Sequence, residues 1–306
     1  MVRDPLTRRF KHLRRRLEGR HGILAIGSFG LIVSLSSVIW LSSSDVALTQ
    51  SHHQPSLLEL LDQVTSGTPK QLDDASNRMR PDPPESTAWR SPLTRQCKGI
   101  DDQIRKRLVK LKSSFKQQRE QIAIDPSNYG KRYSVNPWKD SIDPMPRMVV
   151  LHETANSLTS AINTFKTPHP NDHDQVSYHT LIGMNGRVVD VVDPLHRAYG
   201  AGYSAFLGEW AVTNPEFMGS VNNFALHLSL ETPPDGYIGG RHHSGYTEQQ
   251  YDALALVLED WMETFRIPSE AITTHQHVDL GGERGDPRSF NWKKLQVRMA
   301  ALKRLC

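Results

Sequence analysis

Cysteine is almost missing: Cys97 and Cys306 are the only two in 306 residues. That count excludes a structural metal site built from thiolates. Two readings remain for the pair, a bridge tying the start of the globular part to its last residue or two free thiols, because sequence alone does not bring Cα atoms within bonding range. Neither cysteine lies in a motif that lowers a thiol pKa, so a cysteine nucleophile is not expected.

A basic field is missing as well. The formal net charge is +4, but eight Lys/Arg against Asp4 and Glu18 give residues 1–21 a charge of +6, so the remainder carries −2. Nucleic acid is therefore not an expected partner. No internal repeat is present.

Residues 22–44 lack charge of either sign. Their Ile, Leu, Val, Phe and Trp content covers the roughly 20 residues that cross a bilayer. With the basic block of residues 1–21 kept on the cytoplasmic side, this run reads as a single-pass anchor in the inner (plasma) membrane, with everything after Asp45 exported and periplasmic. A cleaved signal peptide is the rival reading. Its apolar region usually spans about 7–15 residues and ends in a small-x-small site, which Ser42-Ser43-Ser44 matches poorly. Residues 45–96 turn to Ser, Pro, Asp, Gln and Thr, with Pro81-Asp82-Pro83-Pro84 as the stiffest piece. So little there is buriable that we read a linker, with room for a short helix at 56–64.

Periodicity resumes in a helical lead-in, residues 97–146. Ile104, Leu108, Leu111 and Phe115 recur at three- and four-residue steps and predict a helix over 101–122 that packs on the domain. Four prolines follow, and then the first core strand at 148–152. A helix at 157–165 runs into Pro168-His169-Pro170-Asn171-Asp172-His173-Asp174, whose two histidines read as turn residues rather than ligands. Strands at 176–182 and 187–192 flank Asn185-Gly186, a hairpin turn. Residues 224–231 alternate, with Phe224, Leu226, Leu228 and Leu230 on one face and His227, Ser229 and Glu231 on the other, which suits either a site or plain solvent. Thr247-Glu248-Gln249-Gln250 has the capping-box form and opens a helix carried by Tyr251, Leu254, Leu258, Trp261 and Phe265. The order predicts an α/β domain over 147–306, a central mixed sheet flanked by helices.

The densest chemistry is Thr274-His275-Gln276-His277-Val278-Asp279-Leu280-Gly281-Gly282-Glu283-Arg284-Gly285-Asp286-Pro287. Imidazoles and carboxylates gathered this closely suit a cation, and one further donor, His152, stands at the end of the apolar run Met148-Val149-Val150-Leu151. His152, His275 and Asp286 supply the three ligands that a catalytic zinc takes, leaving a fourth position for water. From the residues alone, His277 competes with His275 and Asp279 with Asp286.

These segments resemble the zinc-dependent N-acetylmuramoyl-L-alanine amidases of the type-2 family, relatives of peptidoglycan recognition proteins and phage amidase endolysins. The resemblance lies in Val149-Val150-Leu151-His152-Glu153-Thr154-Ala155, Val176-Ser177-Tyr178-His179-Thr180-Leu181-Ile182-Gly183 with Asn185-Gly186-Arg187, Asn223-Phe224-Ala225-Leu226 through Glu231, Tyr246-Thr247-Glu248-Gln249-Gln250-Tyr251, and Ile272-Thr273-Thr274-His275 through Asp286-Pro287. It implies His152, His275 and Asp286 as ligands of Zn2+ and Arg284 facing the oxyanion. It also implies Tyr178 beside the metal, His179 as a non-ligand, and a glutamate base on the strand at 224–231. Glu231 is our choice for that base, with Ser229 holding the position in the rival register. The implied reaction is hydrolysis of the amide between N-acetylmuramic acid and the L-alanine of the stem peptide, in peptidoglycan or muropeptides. The alternative is a recognition-type module that binds peptidoglycan without turnover. Two departures stand out: Tyr199-Gly200-Ala201-Gly202 lacks the family's cleft histidine, and His227 stands where glycine is frequent.

Overall fold

The computed structural model describes residues 79–306. The basic segment (1–21), the anchor or signal (22–44) and the linker as far as residue 78 lie outside the described residues. Among the described residues, no helix is long and apolar enough to cross a membrane.

Helix α1 (Asp102–Gln118) starts where the Asp101 carboxylate accepts from the amides of Gln103 and Ile104. It stops short of the expected 122. Arg119 is extended and Glu120–Gln121 form strand β1, which pairs parallel with β5 (Val188–Asp190). The Arg119 guanidinium fixes that break by bonding Asp190 and Asp260. Strand β2 (Tyr129–Lys131) and β6 (His196–Ala198) form a separate antiparallel ribbon.

The main sheet has the order β1-β5-β4-β7-β3-β8. Its centre is β3 (Met148–Glu153), every residue of which is buried. A strand covered on both faces reads as a continuous apolar run, as Met148-Val149-Val150-Leu151 does. β3 pairs parallel with β7 (Ala225–Leu230) on one side and β8 (Ile272–Thr274) on the other. β4 (Thr180–Ile182) runs parallel to β7 and antiparallel to β5, so the sheet is mixed. The β4–β5 connection turns at Gly186, whose φ of +82° favours glycine. The two expected strands there are shorter than periodicity suggests: 176–179 is irregular because its backbone bonds go to His227, Tyr199 and the loop after β5.

Helices cover both faces. α2 (Leu158–Lys166) packs through Leu158, Ile162 and Phe165 against Leu181 and Val189 on one face. On the other lies α3 (Glu248–Phe265), started by the capping box in which Thr247 and Gln250 satisfy each other's amides. Gln250 also donates to the Glu231 carbonyl at 2.9 Å, stitching the start of α3 to the end of β7. α1 and α5 (Trp292–Ala301) pack on α3 and on each other. Cys97 and Cys306 are joined as a disulfide, so the start of the lead-in is tied to the last residue.

Candidate metal centre

Parallel strands in register direct paired side chains to the same face. His152 pairs with Ser229, and Val150 pairs with both His227 and Thr273, so the polar residues of β7 and β8 share the face of His152. Of the two readings left open for that face, a site or plain solvent, solvent is excluded at His227 and Ser229, which are fully buried. β8 ends at Thr274, and His275 begins the one-turn helix α4 (His275–Val278) instead of an open loop. The cluster therefore stands at the carboxyl ends of β3 and β8, where open α/β sheets place their ligand sites.

The chain returns to this point through Asp286. Its carbonyl accepts from the Gln276 amide at 3.0 Å, while the Asp279 carboxylate accepts from the amides of Gly281, Glu283 and Arg284 and shapes the intervening loop. Asp279 is thereby committed to backbone and is not available as a ligand. His277 is turned away too, its ring 4.3 Å from that of Trp89. The competitors left open by sequence are thus separated by geometry.

His152, His275 and Asp286 each offer an atom within 4.8 Å of the others. His152 Nδ1 lies 3.3 Å from Asp286 Oδ2, and His275 Nδ1 lies 3.0 Å from Asp286 Oδ1. The second contact is close without being aligned as a hydrogen bond, since His275 Nδ1 is a buried atom with no hydrogen-bond partner. Two imidazole nitrogens facing the two oxygens of one carboxylate, one nitrogen orphaned, fit a shared cation better than a self-satisfied network. Burial pushes His152 down to about 4, with Asp286 opposing, so its lone pair is free at neutral pH. Burial would raise Asp286, but the two imidazole nitrogens that face its oxygens hold it well below the usual carboxylate range.

Tyr178 stacks on His152 with ring centroids 4.5 Å apart and abuts Phe165 edge-on. Burial, reinforced by Asp286, raises its phenol pKa, so it stays protonated. Arg284 is exposed on the loop, anchored by its own amide on Asp279, and its charge is felt at both His152 and Tyr178. His179 accepts from the His227 amide through Nδ1 at 2.9 Å, so its proton is on Nε2, 3.2 Å from the His196 carbonyl; it is a structural histidine. His169 bonds Asn128 in its turn.

Glu231 departs from expectation. One carboxylate oxygen accepts from the Leu158 amide and the other from the Met184 amide, both at 2.8 Å. A carboxylate at the first turn of α2, with both oxygens engaged by backbone, is a helix anchor and not a free base. The structure does not bring it into the triad. Ser229, the rival for that role, carries a buried hydroxyl without a partner.

One cluster went unread in the sequence. Glu153, directly after His152, accepts from Tyr246 Oη at 2.5 Å, from His243 Nε2 at 2.9 Å and from Arg288. His243 Nδ1 accepts from the Gly245 amide, which leaves its proton on Nε2 for Glu153. Arg288 follows Asp286 by two residues, so this network clamps both ends of the triad. The signal was a second polar residue, a glutamate directly after His152, at the end of a buried apolar strand.

Residues 143–289 match the family model described as N-acetylmuramoyl-L-alanine amidase. No curated protein matches the chain in sequence. Among solved structures, a selenomethionine derivative of AmpD is 22% identical, covering 59% of this chain and 94% of its own, with a TM-score of 0.44. AmiD from E. coli, in complex with anhydro-N-acetylmuramic acid-L-Ala-D-gamma-Glu-L-Lys, is 21% identical over 56% of this chain and 65% of its own, TM-score 0.40. The endolysin amidase LysCS from Clostridium intestinale is 15% identical over 59% and 94%, TM-score 0.38. Residues 143–289 thus carry a domain of the N-acetylmuramoyl-L-alanine amidase family.

Proposed function

We propose that this protein is a zinc-dependent N-acetylmuramoyl-L-alanine amidase that hydrolyses the amide between N-acetylmuramic acid and the L-alanine of the stem peptide, in peptidoglycan or muropeptides. The observation that carries the reading is the convergence of His152, His275 and Asp286 within 4.8 Å, inside the segment that matches the family. These three residues would hold Zn2+, whose chemistry is to polarise a carbonyl and acidify water. Everything else falls to the chain. His152 and His275 present Nδ1 lone pairs, and Asp286 supplies the one negative charge. Tyr178 braces His152 by stacking and keeps a protonated hydroxyl beside it. Arg284 is the cation set to face the charge that develops on the scissile carbonyl oxygen. No base role is assigned to Glu231.

We place the domain on the exported side of the inner (plasma) membrane, held by residues 22–44. The Cys97–Cys306 disulfide supports that side, since such bonds persist in oxidising compartments. Residues 45–78 would be the spacer between the two, whereas the end of the expected linker packs on the domain, with Leu93 buried and Trp89 Nε1 donating to the Glu270 carbonyl.

The test is incubation of the purified full chain with peptidoglycan and with soluble muropeptides, with and without a chelator. Stem peptides with a free L-alanine amine should appear, stop on chelation and return with Zn2+. Absence of such peptides, together with absence of zinc by elemental analysis, overturns the reading. A recognition-type module that binds without turnover is the second reading, favoured by one observation: the strand carries Ser229 and a Glu231 tied to backbone. Co-sedimentation with peptidoglycan without peptide release would establish it.

A further inference from the structure

Behind the triad stands a histidine that the proposed chemistry does not use. His227 is fully buried on β7, and its Nδ1 lies 2.9 Å from His152 Nε2. Its backbone is held on both sides by His179, whose amide donates to the His227 carbonyl and whose Nδ1 accepts from the His227 amide, each at 2.9 Å. The rings of His179 and His227 lie parallel, 7° apart, at 5.8 Å. Gly200 supplies the room: a Cβ at that position would come within 2.5 Å of His227 Cγ and Nδ1. The ring is therefore fixed from behind, from the side and through its backbone, with one nitrogen directed at His152.

A neutral imidazole carries one proton, and whichever ring nitrogen bears it is decided by the bond the other makes. If His152 Nδ1 is the metal donor, its proton is on Nε2 and the group that must accept it is His227 Nδ1. His227 then carries its own proton on Nε2. That atom is the one the structure leaves buried without a partner. A hydrophobic side chain filling the same space would leave no such orphan, so packing alone does not account for a histidine here.

We propose that His227 is the positioning residue of the metal centre, accepting the His152 Nε2 proton so that Nδ1 of His152 is committed to the ion. This rests on the triad holding a metal. Outer-sphere partners of ligating histidines fix tautomer and ring orientation, and their loss typically lowers metal affinity about 10–100-fold.

The experiment is Zn2+ binding by chelator competition on the folded full chain. His227→Ala and Gly200→Ala, the second of which displaces the ring without removing it, should each weaken Zn2+ binding about 10- to 100-fold. His227→Asn, whose amide oxygen can occupy the place of Nδ1, should recover most of the loss, whereas His227→Gln should not. Nitrogen-15 NMR of the zinc-loaded wild-type chain requires no variant to fold, and it should show His152 protonated at Nε2. Equal affinity in wild type and His227→Ala, or a zinc-loaded His152 protonated at Nδ1, overturns the proposal and leaves the metal site standing. A wild-type chain that binds no Zn2+ overturns both.

Discussion

Two buried polar clusters lie on opposite sides of the same sheet, and they are finished differently. Between the helices, Asp252 accepts from Arg107 at 2.6 and 2.9 Å and from Arg298 at 2.7 Å, while Arg298 also reaches Glu248 and the Lys294 carbonyl. That cluster is saturated. On the His152 face of β7 and β8 and just beyond β8, by contrast, His227 Nε2, Ser229 Oγ, Thr273 Oγ1 and His275 Nδ1 are four of the six buried side-chain atoms without partners among the described residues. Native interiors satisfy their polar groups, so a local concentration of orphans marks a place shaped for something other than folding. Charge in the helical layer stabilises, whereas charge at the strand ends is kept available.

Breaking each cluster should therefore cost different things. The largest effect is expected for His275→Ala, which should lower amide hydrolysis at least about 10⁴-fold, a barrier change of about 5 kcal/mol. Its metal-free unfolding midpoint in urea should move little; a large stability loss would place His275 in the folding network instead. Arg298→Met should do the reverse. Removing one partner of a buried pair leaves Asp252 short of charge and should cost about 3–5 kcal/mol of stability, read by urea unfolding, with kcat per folded molecule intact. Equal stability in this variant would erase the contrast between the clusters. Cys97→Ser with Cys306→Ser touches neither cluster. It should lower stability by about 2–4 kcal/mol through release of a chain-spanning loop, again without loss of turnover. The smallest effect is expected for Glu231→Gln, up to about 2 kcal/mol of stability from weakened bonds to Leu158 and Met184, with kcat within a few-fold of wild type. A hundredfold fall in kcat at unchanged stability would return Glu231 to the catalytic centre.

Much of the fold was legible because its signals are local. The capping box at Thr247 and Gln250, the turn at Gly186 and the apolar run before His152 each state their structure within a few residues. Strand β1 was not legible: two exposed residues, Glu120 and Gln121, are a strand only because β5 lies alongside. At the site, the types of the clustered residues and their order along the chain were readable, but the choice between His275 and His277 was not. Trp89, far back in the sequence, draws one ring aside, and Asp286 faces the other only because the loop between them folds back. The backbone contacts of Glu231 were hidden for a related reason. Alternation along the strand says which face a residue takes, while the amides of Leu158 and Met184 that claim its carboxylate come from other elements.

From sequence alone follow the residue types of the triad, the helix starts, the apolar strands and the limits that two cysteines and a charge of −2 beyond residue 21 impose. These depend on composition and on periods of two or 3.6 residues, which the chain carries without folding. Tertiary structure alone decided which imidazole meets Asp286, which carboxylate is spent on backbone amides, and that His227 reaches His152 over a space left open by Gly200. Hydrogen bonds and ligand geometries act over about 3 Å. Residues as far apart in sequence as His152 and His227 come within that range only after the sheet has set its register.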